Sequence, residues 1–400
     1  MNSDSPMKSF LRVLLRSPGF LLEVLLTIEK SAWLTPIESP WLKHLDKPPQ
    51  LMGKSSASLH LLLLLLCFVS GSRRYMFCCP TFGRPELDSG CKSASSQVDS
   101  AEQGLAAMAA KKVKEVMLKP RRHWVGDGFH VYPVFAHKAF TQDLSPFLMF
   151  DYGSPEHFPP TKQQLGVGKH PHRGFETVTI AWQGEVEHGD HLGNKDVIHP
   201  GDVQWMSAAK GIVHEEYHSR EFAKTGGMFE MAQFWINLPA KHKMDPPRYQ
   251  PISKESIAVV DLPKGAGTVR VIAGSYEGVT GPAMTFTPID MWEVLLQKAE
   301  SSAELMFPEG HNTIVFVKRG KASVGGQGDI LNEQDVALLG KVGRTVPVRA
   351  LADGTELLIL SGEPIEEPIA FQGPFVMNTR EELMQAQVDY SRGQNGFELR

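Results

Sequence analysis

The sequence predicts an all-β protein in which two similar β domains, each a barrel or a sandwich, follow each other in tandem and a helix ends the chain. Three observations support this: short strand-like segments between turn residues, a weak internal repeat, and helical periodicity confined to the C-terminal end. At 400 residues the chain is too long for one ordinary domain. We expect a poorly structured extension over 1–112, a first β domain over 113–255, and a second over 256–400 that includes the helix.

The strand prediction begins at about residue 113, where short apolar runs alternate with Gly, Pro, Asn and Asp. β-branched and aromatic residues dominate these runs, which is typical of strands in a barrel or sandwich. The clearest runs are 131–135, 177–182, 203–206, 269–272 and 313–317.

The internal repeat concerns the order of strands and turns. Residues 170–216 contain a strand, a Gly turn, a Pro-Gly turn and another strand, and residues 311–350 follow a similar order. This similarity predicts two related β domains. Beyond them, Thr379 and Glu382 form a capping-box pattern, which predicts a final helix. Its apolar residues are Leu383, Met384, Ala386 and Val388.

The N-terminal extension contains a run of six leucines at 61–66. With its flanks the run is shorter than the ~20 apolar residues that cross a bilayer, so we expect no stable membrane span. Its length suits a signal peptide if translation starts at Met52, which would indicate a secretory or plastid route. Alternatively, the extension is disordered or lies upstream of a true start near Met108. That alternative favours the cytosol or the nucleus.

Composition limits the possible functions. A hydrophobic content of 42% and a charged content of 22% are those of a soluble globular protein. In residues 1–122, 17 Lys and Arg against 10 Asp and Glu give +7, whereas 24 against 35 give −11 in the remainder. This acidic body argues against direct nucleic-acid binding. All four cysteines precede residue 92, so the barrels have no disulfide and no thiolate ligand.

Two short histidine motifs predict a metal site. His170 and His172 are two residues apart, and so are His214 and Glu216. In a strand, side chains at this spacing leave the same face. If the two strands are neighbours inside a barrel, three imidazoles and one carboxylate converge. Such a set suits a divalent transition metal, iron especially, with room for water, O₂ or substrate.

The remaining histidines and acids nearby receive less specific roles. We expect His188, His191, His199 and His218 to be exposed or hydrogen-bonded, as single histidines usually are. Glu176 follows His172 by four residues and is the nearest rival ligand, although we expect it instead to orient an imidazole from behind the ligands. In the second repeat His311 stands alone, and residues 344–347, which correspond to the motif of His214 and Glu216, read Arg-Thr-Val-Pro. We therefore expect the second barrel to bind no metal and to pack against the first and close it.

Three stretches resemble the pirin family of the cupin superfamily. They are the run from His170 to Val178, the run from Pro200 to Glu216, and the late segments 361–365 and 373–379. The resemblance extends from about Lys119 to the C-terminus. It implies two cupin-type (jelly-roll) barrels, with one iron per chain in the first. The family's three histidines and one glutamate fall on His170, His172, His214 and Glu216.

The resemblance implies two alternative functions. The first is a flavonol (quercetin) 2,3-dioxygenase, in which the metal binds the substrate oxygens and Glu216 also acts as the general base. Phe175, Trp205 and Met206 are then candidates for the wall of an aromatic-accepting pocket, although each also fits an ordinary barrel core. The second is a regulator whose iron senses redox state and which binds a transcription-related protein. We expect a monomer in either case.

Overall fold

The computed structural model describes residues 109–398. The predicted signal-like run at 61–66, the alternative starts at Met52 and Met108, and the four cysteines lie outside the described residues. Within the described part, the helices are too short or too polar to cross a membrane.

Strands make up most of the described chain. Its two α-helices are α1 (Arg220–Thr225) and α2 (Arg380–Arg392). The strands of the first half are β1 (Val113–Met117), β2 (His123–Val125), β3 (Phe129–Pro133), β4 (Phe147–Phe158), β5 (Gly166–His172), β6 (Phe175–Gln183), β7 (Val186–Asp190), β8 (Lys195–Ile198), β9 (Val203–Ser207), β10 (Ile212–His218), β11 (Gly227–Asn237) and β12 (Arg248–Ile252). Those of the second half are β13 (Val259–Asp261), β14 (Gly267–Ala273), β15 (Ser275–Tyr276), β16 (Val279–Thr280), β17 (Ile289–Leu296), β18 (Ser302–Met306), β19 (Asn312–Arg319), β20 (Lys321–Val324), β21 (Asp329–Asn332), β22 (Val336–Leu339), β23 (Thr345–Ala350), β24 (Thr355–Gly362), β25 (Ala370–Gln372) and β26 (Phe375–Met377).

The strands form two barrels of the same design. In the first, a seven-stranded sheet in the order β12-β9-β6-β11-β4-β3-β2 accompanies a four-stranded sheet in the order β5-β10-β7-β8. In the second, the orders are β1-β22-β19-β24-β17-β14-β13 and β18-β23-β20-β21. Each position in one barrel has a counterpart in the other, and the strands pair antiparallel. The predicted all-β fold of two tandem cupin-type barrels is therefore confirmed.

The chain N-terminal to the first barrel completes the second one. Strand β1, which the sequence boundary at residue 113 assigns to the first domain, pairs instead with β22 of the second. The assignment of 109–112 to an unstructured extension also differs from the structure. Lys111 is fully buried there, and its ammonium donates to the carbonyl oxygens of His311 and Gly340 at 3.2 and 3.3 Å. The boundary at 255 stays a proposal.

The two seven-stranded sheets pack face to face. Phe150, Trp205 and Phe234 of the first barrel belong to one buried cluster with Ile314 and Phe316 of the second. Because side chains alternate along a strand, the neighbouring residues point the other way, into the first barrel. The barrel interior is thus separated from the contact between the barrels, and it carries the polar side chains.

The predicted elements correspond well with the observed ones. Runs 177–182, 203–206, 269–272 and 313–317 lie in β6, β9, β14 and β19, and only the end of run 131–135 lies beyond its strand. Thr379 caps α2 with Glu382 in a capping box. Of the apolar helix residues, Leu383 and Ala386 are buried, whereas Met384 and Val388 are exposed.

The C-terminal segment, residues 370–398, contains β25, β26 and α2. It docks on the first barrel beside the β5–β6 turn. The Arg173 guanidinium donates to Asp389 of α2 at 2.8 Å, and both side chains are almost fully buried. The Lys243 ammonium donates to the carbonyl oxygens of Gly174 and Val376, at 2.7 and 3.1 Å. The second half of the chain is thereby fixed next to His172.

Candidate metal centre

The two histidine motifs lie on neighbouring strands, as their spacing predicts. Strands β5 and β10 pair antiparallel, with His214 directly opposite His170. The ring centroid of His170 is 4.3 Å from that of His214, and His172 is 4.8 Å from each of the other two. One nitrogen from each imidazole lies within 4.8 Å of the others, which is close enough to hold one metal ion.

A bulge in β5 shapes this arrangement. Glu216 pairs with Val167 while His214 pairs with His170, so two residues of β5 stand opposite Glu215 alone. Such a bulge bends a strand and redirects its side chains. It also brings the carbonyl oxygen of Gly168 to 2.8 Å from Nδ1 of His170. The bulge therefore supplies the partner that orients His170.

Hydrogen bonds at Nδ1 leave the Nε2 lone pairs of His170 and His172 available for a metal. Nδ1 of His170 lies against Gly168, and Nδ1 of His172 is 3.4 Å from the carbonyl oxygen of Pro374, in the docked C-terminal segment. A carbonyl only accepts, so these Nδ1 atoms carry the proton and Nε2 carries the lone pair. Nε2 of His214 is buried without a partner among the described residues. Histidines that bind metals are usually held in this manner.

Burial keeps two of these imidazoles neutral. Desolvation lowers the pKa of His172 well below its ordinary value, and the nearby His170 adds to the effect. Burial likewise lowers the pKa of His214, with the three neighbouring histidines lowering it further. A neutral imidazole is the form that donates a lone pair to a metal.

Glu216 lies next to the three histidines but not in the same close group. Its carboxylate falls within 4.8 Å of ligand atoms of His214 and His188, which form a second potential metal-binding group. Both of its oxygens accept from Nε2 of Gln233, at 3.0 and 2.9 Å, and Thr179 donates at 3.4 Å. This carboxylate is buried and held firmly in place.

His188 has a more specific position than the sequence prediction gave it. It is buried, and its Nδ1 lies 3.5 Å from Nδ1 of His214, while its Nε2 lies 3.5 Å from Asp190. His188 and Asp190 are themselves two residues apart on β7, so the pattern that identifies the other two motifs also applied here. The remaining predictions agree with the structure, since His191, His199 and His218 each have a hydrogen-bond partner.

Glu176 does not orient an imidazole, contrary to the prediction. Its carboxylate accepts from the hydroxyl of Ser207 at 2.5 Å, on the strand beside it. Burial raises the pKa of Glu176 to about 7, and the Ser207 hydrogen bond opposes this. The physical reason is Gly174, whose φ of +88° forms the corner between β5 and β6. The alternation of faces does not continue across that corner.

A cavity of about 370 Å³ opens onto the histidines. Its walls are mostly apolar, and they include Pro374 from the C-terminal segment. The lining residues are Val125, Phe129, Val131, Met149, Asp151, Val167, His170, His172, Glu216, Met231, Gln233, Trp235 and Pro374. Its volume is in the usual range for small-molecule sites.

The three residues predicted for the pocket wall do not line this cavity. Trp205 lies in the core between the barrels, because it is on the opposite face of β9 from the barrel interior. Met206 packs with Ala208 and Ile212 in a separate cluster. Phe175 is fully buried behind the site, with its ring centroid 4.3 Å from that of Trp235. The observed wall instead includes Trp235, Gln233 and Asp151, which no motif in the sequence had indicated.

The second barrel differs at the corresponding strands. Its β18 and β23 occupy the places of β5 and β10, and they contain no histidine. His311 precedes β19, and its Nδ1 is 3.4 Å from the Ser361 hydroxyl. Within residues 109–398, the groups of three potential metal ligands lie in the first barrel.

Comparisons with known proteins agree with this architecture. Residues 128–236 match the family model described as Pirin, and residues 291–396 match the Pirin C-terminal cupin domain. The chain is 51% identical over 283 residues to a Pseudomonas aeruginosa protein with a provisional name as a quercetin 2,3-dioxygenase, covering 98% of that protein and 71% of this chain. It is 37% identical to a pirin-like protein of Solanum lycopersicum, over 84% of that protein and 64% of this chain.

A solved structure gives a similar match. The crystal structure of quercetin 2,3-dioxygenase from Acinetobacter baumannii shares 47% sequence identity with this chain and superposes with a TM-score of 0.69. The match covers 98% of that chain and 71% of this one.

Proposed function

Because this chain belongs to the pirin family of two-barrel cupin proteins, we propose that it is an iron-dependent dioxygenase acting on flavonols such as quercetin. The names of the Pseudomonas and Acinetobacter relatives support this activity. The observation in this chain that carries the proposal is the position of three imidazoles and a carboxylate at one side of a largely apolar cavity.

The residues fit a transition metal. His172 and His214 offer neutral nitrogens, and Nε2 of His214 is buried without a partner among the described residues. His170 offers a third imidazole nitrogen, and Glu216 offers a carboxylate oxygen. Nitrogen and oxygen ligands without thiolates suit iron and leave coordination positions for substrate. The proposed content is one iron ion per chain. When bound, iron would stabilise the anion of the flavonol as a Lewis acid and provide the redox chemistry with O₂.

The protein's own contribution is to bind and orient the substrate. The apolar walls formed by Phe129, Val131, Met231 and Trp235 suit a flat aromatic molecule and exclude water from it. Gln233 holds Glu216 through both oxygens, which favours a role for Glu216 as a fixed ligand. The base role predicted for Glu216 competes with that arrangement, since few of its lone pairs remain for a substrate proton.

The test is turnover of quercetin by the full-length chain. The protein is loaded with iron, and the loss of quercetin absorbance is followed in air. We expect turnover by wild type and at least ~100-fold less by His170→Ala and Glu216→Ala, because each removes a ligand. His199→Ala is the matched control, since His199 is exposed and pairs with Glu185 away from the cavity. Iron-loaded wild type that leaves quercetin unchanged would refute the proposal.

A further inference from the structure

The interior of the first barrel carries a row of polar side chains opposite the histidines. Strand pairing places Asp151 beside Gln233, Gln233 beside Thr179, and Thr179 beside Gln204. Residues paired in this way have side chains on the same face of the sheet. Two members of the row, Gln233 and Thr179, donate to Glu216. Asp151 is the member at the edge of the cavity.

The carboxyl group of Asp151 is buried at the cavity and is available to bind a ligand. Its side chain lines the cavity, and the residue is only 9% exposed. Among the described residues, no group hydrogen-bonds its carboxyl, and burial is the single cause that raises its pKa, to about 7. A buried carboxyl without a partner is costly, so such groups are often functional.

The charged and titratable groups that line the cavity with Asp151 lie on the other sheet of the barrel. They are His170 and His172 on β5 and Glu216 on β10. Its paired neighbours on its own sheet, Pro133 and Gln233, carry no charge, and the other walls of the cavity are apolar. In the part of the chain that the structure describes, the carboxyl group of Asp151 accepts no hydrogen bond, whereas both oxygens of Glu216 accept from Gln233.

We propose that Asp151 is the base that accepts the hydroxyl proton of the substrate, which is a flavonol with a free hydroxyl next to its ketone. This inference rests on the function proposed above. In the step, the substrate O–H bond breaks and the proton moves to an oxygen of Asp151. The electron pair stays on the substrate oxygen, which becomes an anion facing the histidine wall. No oxidant takes part in this step.

The test compares wild type, Asp151→Asn and Asp151→Glu, each as the full-length, iron-loaded chain. Asparagine has nearly the same shape as aspartate but does not accept the proton. We expect Asp151→Asn to retain the wild-type iron content, to lose about 100-fold in kcat, and to change KM by less than about threefold. The fall of kcat/KM at acid pH should disappear in this variant. Asp151→Glu should restore part of kcat.

A second readout does not depend on turnover. Without O₂, bound quercetin absorbs at longer wavelength when it is the anion than when it is neutral. At pH 7 we expect the anion on wild type and the neutral form on Asp151→Asn. Asp290→Asn is the matched control, because burial raises the pKa of Asp290 to about 6 but the residue lies in the second barrel. It should behave as wild type in both assays.

The outcomes separate the two proposals. The role of Asp151 is refuted if Asp151→Asn keeps kcat within about threefold of wild type. It is also refuted if the variant still shows both the fall of kcat/KM at acid pH and the absorbance of the bound quercetin anion. In either case the dioxygenase function stands. If wild type does not oxidise quercetin in air, the dioxygenase function fails, and the spectra without O₂ still decide whether Asp151 takes the proton. Wild type that binds no quercetin in either assay overturns both.

Discussion

The ion pair between Arg173 and Asp389 connects the C-terminal helix to the residue next to His172. The guanidinium of Arg173 also lies 4.7 Å from the ring centroid of Phe397, which belongs to the same C-terminal segment. Asp389→Asn removes the charge and leaves the shape almost unchanged. This substitution tests whether the pair holds the segment in place.

The expected loss of folding stability in Asp389→Asn follows from the pKa of Asp389. Although burial opposes the charge, hydrogen bonds from Arg173, Asn395, Gln385 and Gln394 lower the pKa from 3.8 to about 2. Because the folded state has the lower pKa, this stability is present above pH 3.8 and is lost as the pH falls through about 2. A shift of this size corresponds to about 2 kcal/mol of the free energy of unfolding near neutral pH.

The assay is urea unfolding of wild type and Asp389→Asn at pH 6 and at pH 3. We expect the variant to be less stable by about 2 kcal/mol at pH 6, and the difference to narrow to about 1 kcal/mol at pH 3. Asp143→Asn is the control, because Asp143 forms its ion pairs with Lys114 and Lys138 at the surface, where such pairs contribute little to stability. A variant as stable as wild type at pH 6, or a difference that does not narrow with acid, would refute this reasoning.

Two further predictions concern the surroundings of the site. His188→Ala should weaken metal affinity about 10–100-fold, measured by competition with a chelator, because His188 supports His214. The control is His157→Ala, which should have no effect because His157 is exposed. Equal affinities in the two variants would contradict the supporting role of His188. Gly174→Ala should lower the free energy of unfolding, measured by thermal unfolding, by about 1–3 kcal/mol more than Gly193→Ala does, because it overpacks the site. Both glycines have positive φ, but only at Gly174 would a Cβ lie 1.9 Å from a backbone oxygen of the docked segment. Equal losses would show that the close approach does not matter.

Much of the site was predictable because strand geometry has a period of two. His170 and His172 leave one face of β5, and His214 and Glu216 leave one face of β10, so spacing alone brought them near one another. The same rule applied to His188 and Asp190 would have added the buried histidine behind His214. The rule failed for Glu176, because the corner at Gly174 lies between it and the strand of His172.

The rest depends on contacts between distant parts of the chain. Nothing local in 113–117 indicates that this segment completes the second barrel, since its partner β22 lies more than two hundred residues later. The cavity wall is likewise assembled from several strands and from Pro374. Aromatic character alone selected Trp205, whose side chain belongs to the face between the barrels. Side-chain direction, and not residue type, decides which residues line the cavity.

The most direct test of the metal site is an anomalous difference map, recorded at the iron absorption edge from crystals of the iron-loaded chain. We expect one peak per chain, in the first barrel, at bonding distances of about 2.0–2.2 Å from His170, His172, His214 and Glu216. A peak bonded to His188 with His214 and Glu216 but not to His170 and His172 would contradict it. A peak in the second barrel would contradict it as well.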